Sequence, residues 1–157
     1  MNEVKPIKRS SELAPLSREH HEGLLFVWKL RQGLQKGIAN ERLRKFIFWQ
    51  WQNHIKPHFY HEEKILMPFL SAGNELTERM IKEHENIREL ILNLDSEPDS
   101  RTISMLADLI NDHIRFEERQ LFNYLEETLS KEQLEIIFQQ IEEHPVACNT
   151  EWNDKFW

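Results

Sequence analysis

The chain has 157 residues, with 20 Lys and Arg against 27 Asp and Glu, and a formal net charge of -7 at pH 7. That length corresponds to about one domain with a single core, and the negative balance argues against nucleic acid or an anionic membrane surface as partner. Sparse Gly (4) and Pro (6) among abundant Glu, Leu, Ile, Lys and Gln predict an all-α protein.

Residues 1 to 16, with Pro6 and Pro15, read as an extended lead-in without a signal-like apolar stretch. Ser17 is the predicted cap of a first helix reaching about Lys36 and closed by Gly37. Its apolar stripe is Leu24, Val27, Trp28, Leu34 and Ile38, with His20 near the centre of that stripe and His21 toward its edge. Asn40 is the predicted cap of a second helix, about Glu41 to Leu70, whose inward row reads Ile47, Trp51, Ile55, His58, Glu62, Ile65 and Phe69. Pro57 removes a backbone hydrogen bond from this helix and is expected to kink it just before His58.

Asn74 or Thr77 opens a third helix with apolar positions Leu76, Met80, Ile87, Ile91 and Leu94 and with His84 on their flank. The short connection 95–100 predicts an antiparallel neighbour. A fourth helix follows from about Arg101 to Glu127, with Ile103, Leu106, Ile110, His113, Glu117, Leu121 and Tyr124 in one row. Ser130 with Gln133 forms a capping box for a short fifth helix that Pro145 ends. The aromatic tail, Trp152, Phe156 and Trp157, is expected to pack on the bundle or on a second subunit.

The expected architecture is an up-down-up-down four-helix bundle over about 13–128, followed by a C-terminal helix and tail over 129–157, in one domain of 1–157. No run approaches 18 apolar residues. The single cysteine, Cys148, forms no intrachain disulfide and reads as a packing or bystander thiol. A cytoplasmic protein, monomer or homodimer, is expected.

The most informative feature is a pattern that occurs twice: His58, Glu62, Glu63 and again His113, Glu117, Glu118. At this composition His-x-x-x-Glu-Glu arises by chance roughly 0.2 times, so two copies mark an internal repeat. HFYHEEKILMPFL and HIRFEERQLFNYL also share Leu eight and twelve positions after the His, and Glu19-His20 is echoed by Glu83-His84. The chain therefore reads as two helical hairpins. A spacing of four places imidazole and carboxylate side by side on one helix face, here on the face meant for the core. Buried carboxylates and imidazoles cost several kcal/mol each unless paired, and two divalent cations bridged by two carboxylates would satisfy all of them. Donors of this kind, without thiolate, suit iron, manganese or zinc.

LSREHHEGL, PHFYHEEKILMP, IKEHENI and NDHIRFEERQLF, in this order, resemble the motifs of the hemerythrin-like, or HHE cation-binding, family over about residues 13 to 128. The resemblance implies a four-helix bundle with a non-haem di-iron centre near one end of its core. His20, His58, His84 and His113 would be its terminal ligands, and Glu62 and Glu117 would bridge the metals. Two departures from the oxygen-carrying members stand out. Arg88 occupies the place of their second third-helix His, and Glu residues stand four and five positions after His113, where they have an Asp at five. One imidazole is thus missing, or replaced by His21. An open position on each metal then favours binding or sensing of dioxygen, peroxide or nitric oxide over reversible oxygen storage.

The alternative is a structural or storage bundle holding zinc or iron without redox chemistry, and a third reading is weak peroxidase or nitric oxide reductase activity. The expected protein is a metal and gas binder more than an enzyme, with no catalytic residue assigned. Glu63 and Glu118 point about 100° further round the helix and read as outer residues, although a rotated fourth helix would make Glu118 the ligand. His54 and His61 are weaker candidates, and His144 reads as a helix-end residue. Trp28, Trp49 and Trp51 fall on helical stripes and are assigned to packing. There is no Gly-rich phosphate loop and no His-Glu-x-x-His pattern.

Overall fold

Helix follows the apolar periodicity through five stretches of the computed structural model, which describes residues 8–146 and 151–157. They are α1 (Ala14–Gln35), α2 (40–69), α3 (Glu75–Leu92), α4 (100–128) and α5 (Lys131–Glu143). No strand occurs among the described residues. The chain is a helical bundle in which α1 packs along α4, α3 packs along α4, and α5 lies against residues 61–66 of α2. Cys148 lies outside the described residues.

Several starts differ from the sequence reading. α1 begins at Ala14 with Leu13 before it and no side-chain cap. Ser17 is already inside the helix, and its hydroxyl donates to Glu118 at 3.0 Å. The supposed lead-in is held by Arg9, which pairs with Glu118 and Glu126 at 3.1 and 2.7 Å, so Leu13 and Leu16 are driven into the core. Asn40 is the first residue of α2, not its cap; the position before the helix is Ala39, and the Asn40 amide donates to the Pro98 carbonyl and the Ser100 hydroxyl. Asn74 caps α3 by accepting from the Leu76 and Thr77 amides, Asp99 caps α4, and the Ser130/Gln133 capping box opens α5. Gly37 adopts φ +68°, the left-handed conformation that ends α1 at little cost for glycine.

Pro57 does not interrupt α2. A π turn over Trp51–Ile55 precedes it, in which the Lys56 amide reaches back five residues to the Trp51 carbonyl. The widened turn absorbs the missing donor. Two further π turns, His61–Leu66 and Glu117–Leu121, occupy equivalent places in the two motifs. In each, the amide after the turn, Met67 or Phe122, bonds the carbonyl of Glu62 or Glu117. The sequence repeat is thus also a repeat of backbone geometry.

The apolar residues form two clusters. One contains Phe26, Leu30, Phe46, Ile55, Ile87 and Ile110, and the other Leu16, Ile65, Met80, Phe116, Leu121 and Phe122. The titratable motif residues fall between them along each of the first four helices, so they lie within the core and not near one end of it. Trp28 is 48 % exposed; α1 turns Phe26, Val27 and Leu30 inward instead. Trp51 is buried and Trp49 stacks on Phe46, with centroids 6.1 Å apart. The aromatic tail packs on the bundle: Phe156 is buried, and it and Trp157 meet Phe46 at 5.3 and 5.5 Å.

Candidate metal centre

Six side chains from four helices meet between the two apolar clusters. His20 comes from α1, His58 and Glu62 from α2, His84 from α3, and His113 and Glu117 from α4, and all are buried, with both carboxylates fully inaccessible. His84 lies at the middle of the buried row Thr77, Met80, His84, Ile87 and Ile91, not on its flank. The Nε2 atoms converge on the two carboxylates. Glu62 Oε1 is 3.0 Å from His84 and 3.2 Å from His58, while Glu117 Oε1 is 2.9 Å from both His20 and His113. Cross contacts of 3.7 Å join the second oxygens, Glu62 Oε2 to His20 and Glu117 Oε2 to His84.

The donors divide into two groups, His20, His58, Glu62 and Glu117, and Glu62, His84, His113 and Glu117. Within each group the donor atoms lie within 4.8 Å of one another, and both groups share the two carboxylates. Each group can hold one cation. The inward atoms His58 Nε2, His113 Nε2, Glu62 Oε2 and Glu117 Oε2 are buried without a hydrogen-bond partner, as are the outward His20 Nδ1 and His84 Nδ1. Unsatisfied buried donors and acceptors are costly, and a cation between the inward atoms removes their share of the cost. The residues present therefore fit a metal pair.

Each outward nitrogen faces a carboxylate, through a hydrogen bond at His58 and His113 and through charge alone at His20 and His84. Glu19 of α1 faces His58 of α2 at 3.1 Å, Glu63 of α2 faces His84 of α3 at 3.8 Å, Glu83 of α3 faces His113 of α4 at 2.9 Å, and Glu118 of α4 faces His20 of α1 at 3.2 Å. This is a closed ring in which each helix steadies the imidazole of the next. Every outer carboxylate has a basic partner of its own: His61 for Glu19 at 2.8 Å, Arg88 for Glu63 at 3.0 Å, Arg79 for Glu83 at 2.8 Å, and Arg9 for Glu118. Outer partners of this kind fix ring orientation and raise imidazole basicity.

Imidazole and carboxylate shift one another toward their charged forms within the cluster. Burial disfavours every charged imidazole, yet the facing carboxylates win: His58 is pushed up to about 9 by Glu62 and Glu19, and His20 and His84 stand well above the ordinary value of 6.5. Burial and the neighbouring Glu62 charge both oppose ionisation of Glu117, but His113 and His20 hold its carboxyl at about 2. Glu62 is likewise held well below the usual carboxylate range against burial, chiefly by His58.

Of the remaining sequence candidates, His21 is exposed and belongs to neither group, and Glu63 and Glu118 sit on outward nitrogens instead of among the converging atoms. His61 is buried, and its ring bonds Glu19 on one side and the His144 carbonyl on the other. His54 is half-buried and joins neither group. Arg88 does not reach the centre. It takes up Glu63, and no fifth imidazole replaces it among the described residues. The roles of Glu19 and Glu83 escaped the sequence reading, although the Glu-His echo in α1 and α3 carried the signal.

No curated protein and no solved structure is significantly similar to the chain. The family model for the hemerythrin HHE cation binding domain matches residues 11–125, a span that includes all six converging side chains and the four outer glutamates. By that match, and with two buried His and Glu groups able to hold cations, the chain belongs to the hemerythrin HHE cation-binding domain family.

Proposed function

We propose that this chain is a non-haem di-iron protein of up-down-up-down four-helix topology that binds or senses a small oxidant or diatomic gas, such as dioxygen, peroxide or nitric oxide. In this reading His20, His58, His84 and His113 are terminal ligands, and Glu62 and Glu117 bridge the pair. The observation that carries it is the sharing of two carboxylates by two four-donor groups. Nitrogen and oxygen donors without thiolate suit iron, manganese or zinc. A bound iron pair supplies one-electron redox chemistry and open coordination positions for a small ligand.

The protein's own residues do the rest. Glu19 and Glu83 hold His58 and His113 with Nε2 inward by hydrogen bonds, and Glu63 and Glu118 place a charge behind His84 and His20, so the donors need little rearrangement on binding. The two apolar clusters on either side exclude bulk water, which strengthens every electrostatic contact between them. No helix among the described residues is long and apolar enough to cross a membrane. A cytoplasmic location and a single domain of 1–157 are part of the proposal.

The test is metal content per chain with an absorption spectrum before and after air is admitted to anaerobically iron-loaded protein. About two irons and a new near-ultraviolet band are expected. One metal, or zinc alone with no spectral change, would support instead a structural or storage bundle, to which the same donors are suited.

A further inference from the structure

Three cavities of the molecule meet at one side chain. The smallest, about 40 Å³, lies against the converging donors and is lined by His20, His58 and His113. It has room for one water or one diatomic molecule. A second, of 450 Å³, is bounded by Arg18, Glu22, His61 and Glu142. A third, of 420 Å³, is walled by Trp28, Trp49, Trp152 and Trp157. His54 lines all three.

The other side chains of the partition differ from His54 in how they are held. Glu19 separates the small cavity from the second, but His58 and His61 fix it at 3.1 and 2.8 Å. Gln50 separates the small cavity from the third and is itself buried. His54 is half-buried, and its ring makes no hydrogen bond among the described residues. Its ring contact is edge-on to Trp49, with centroids 5.4 Å apart. It also sits in the π turn Trp51–Ile55, a backbone feature frequent at functional sites. The ring is held by packing alone, and it stands where the donor cavity adjoins both outer cavities.

We infer that His54 is the gate through which a small ligand passes between solvent and the 40 Å³ cavity beside the donors. The inference rests on the proposed metal centre and assigns His54 no contact with the metals. A gate sets the barrier to passage in both directions, so it changes on-rate and off-rate by the same factor and leaves equilibrium affinity unchanged.

The experiment uses iron-loaded protein, wild type alongside His54→Ala and His54→Trp. Metal per chain is measured first, and azide binding and release are then followed by stopped-flow absorption. Two irons in all three proteins are expected. His54→Ala should raise both azide rates about tenfold, equivalent to about 1.4 kcal/mol in the barrier, while His54→Trp lowers both and Kd stays constant. Unchanged rates in His54→Ala overturn the gate, as does a shift in Kd without matching rate changes. Loss of iron in His54→Ala alone overturns it too, because His54 would then be part of the metal site. Wild-type protein that holds two irons but takes up no azide has no passage to gate, and this also refutes the inference. Absence of iron from the wild type is a separate result: it defeats the metal reading and removes the gate with it.

Discussion

Replacing Glu117 by Gln keeps the size of a side chain that is fully inaccessible, removes its charge and turns one acceptor oxygen into an NH2 donor. In the metal-free protein that charge is opposed by burial and by Glu62, and favoured by His113 and His20, both 2.9 Å away. The balance favours the anion and holds the carboxyl well below the ordinary 4.5, at about 2. Removing one partner from a buried pair costs about 3–5 kcal/mol in general, and repulsion from Glu62 argues for the lower end. For a chain of this length about 3 kcal/mol lowers Tm by about 6–12 °C. Because the folded value is depressed, this stabilisation is complete above about pH 4.5 and is lost as pH falls through about 2. Melting of chelated wild-type and Glu117→Gln proteins at pH 7 and again near pH 2.5 measures it, and the gap should shrink toward the lower pH. Metal content read on the same samples should fall below two per chain, since both donor groups use Glu117. A variant that melts with the wild type at pH 7 and still binds two metals would refute the reasoning.

Metal uptake should release protons at pH 7, because His20, His58 and His84 are held protonated in the metal-free protein, His58 up to about 9, and a coordinating imidazole is neutral. Indicator-dye or pH-stat titration with ferrous iron checks this, and zero release contradicts the charge assignment. The raised imidazoles also stabilise the metal-free fold fully below about pH 6.5 and progressively less as pH rises through about 9, so chelated protein should melt earlier at pH 9.5 than at pH 6.5. Chelator should lower Tm at pH 7, and by more as free metal exceeds its Kd, following mass action; identical melting with and without chelator counts against a core site. Gly33→Ala should cost about 1–3 kcal/mol, since the new Cβ would meet Leu43 at 2.6 Å and Phe156 at 2.8 Å. A change in tryptophan emission should accompany it as the aromatic tail is displaced.

The six converging residues were legible because helical spacing links His58 to Glu62 and His113 to Glu117, and because all sat in or beside apolar rows. Helix phase set His20 near the centre of the stripe and His21 toward its edge, and the structure buries the first and exposes the second. What could not be read was anything set by a neighbouring helix. Glu19 looked like a companion of His20, but it serves His58 across the bundle, and Glu83 serves His113. The start of α1 was misplaced because Arg9 and Ser10 dock on Glu126, more than 110 residues away, a contact that local capping rules do not contain. The π turns were invisible for a related reason: one extra residue in a turn shifts the helix phase without altering composition. Trp28 was assigned to the stripe because it shares the phase of Leu24, whereas the core takes Phe26, which meets Phe46 of α2 at 5.3 Å, together with Val27 and Leu30.

The donor groups also carry a consequence for the order in which the molecule is made. The first draws on α1, α2 and α4 and the second on α2, α3 and α4, so neither is complete until residue 117 is in place. A nascent chain exposing only its first hairpin offers a cation His20, His58 and Glu62, three donors lacking the second carboxylate. In the proposed centre, loading would wait until α4 has left the ribosome and closed on the rest, and a metal captured too early would have fewer bonds to break when it leaves.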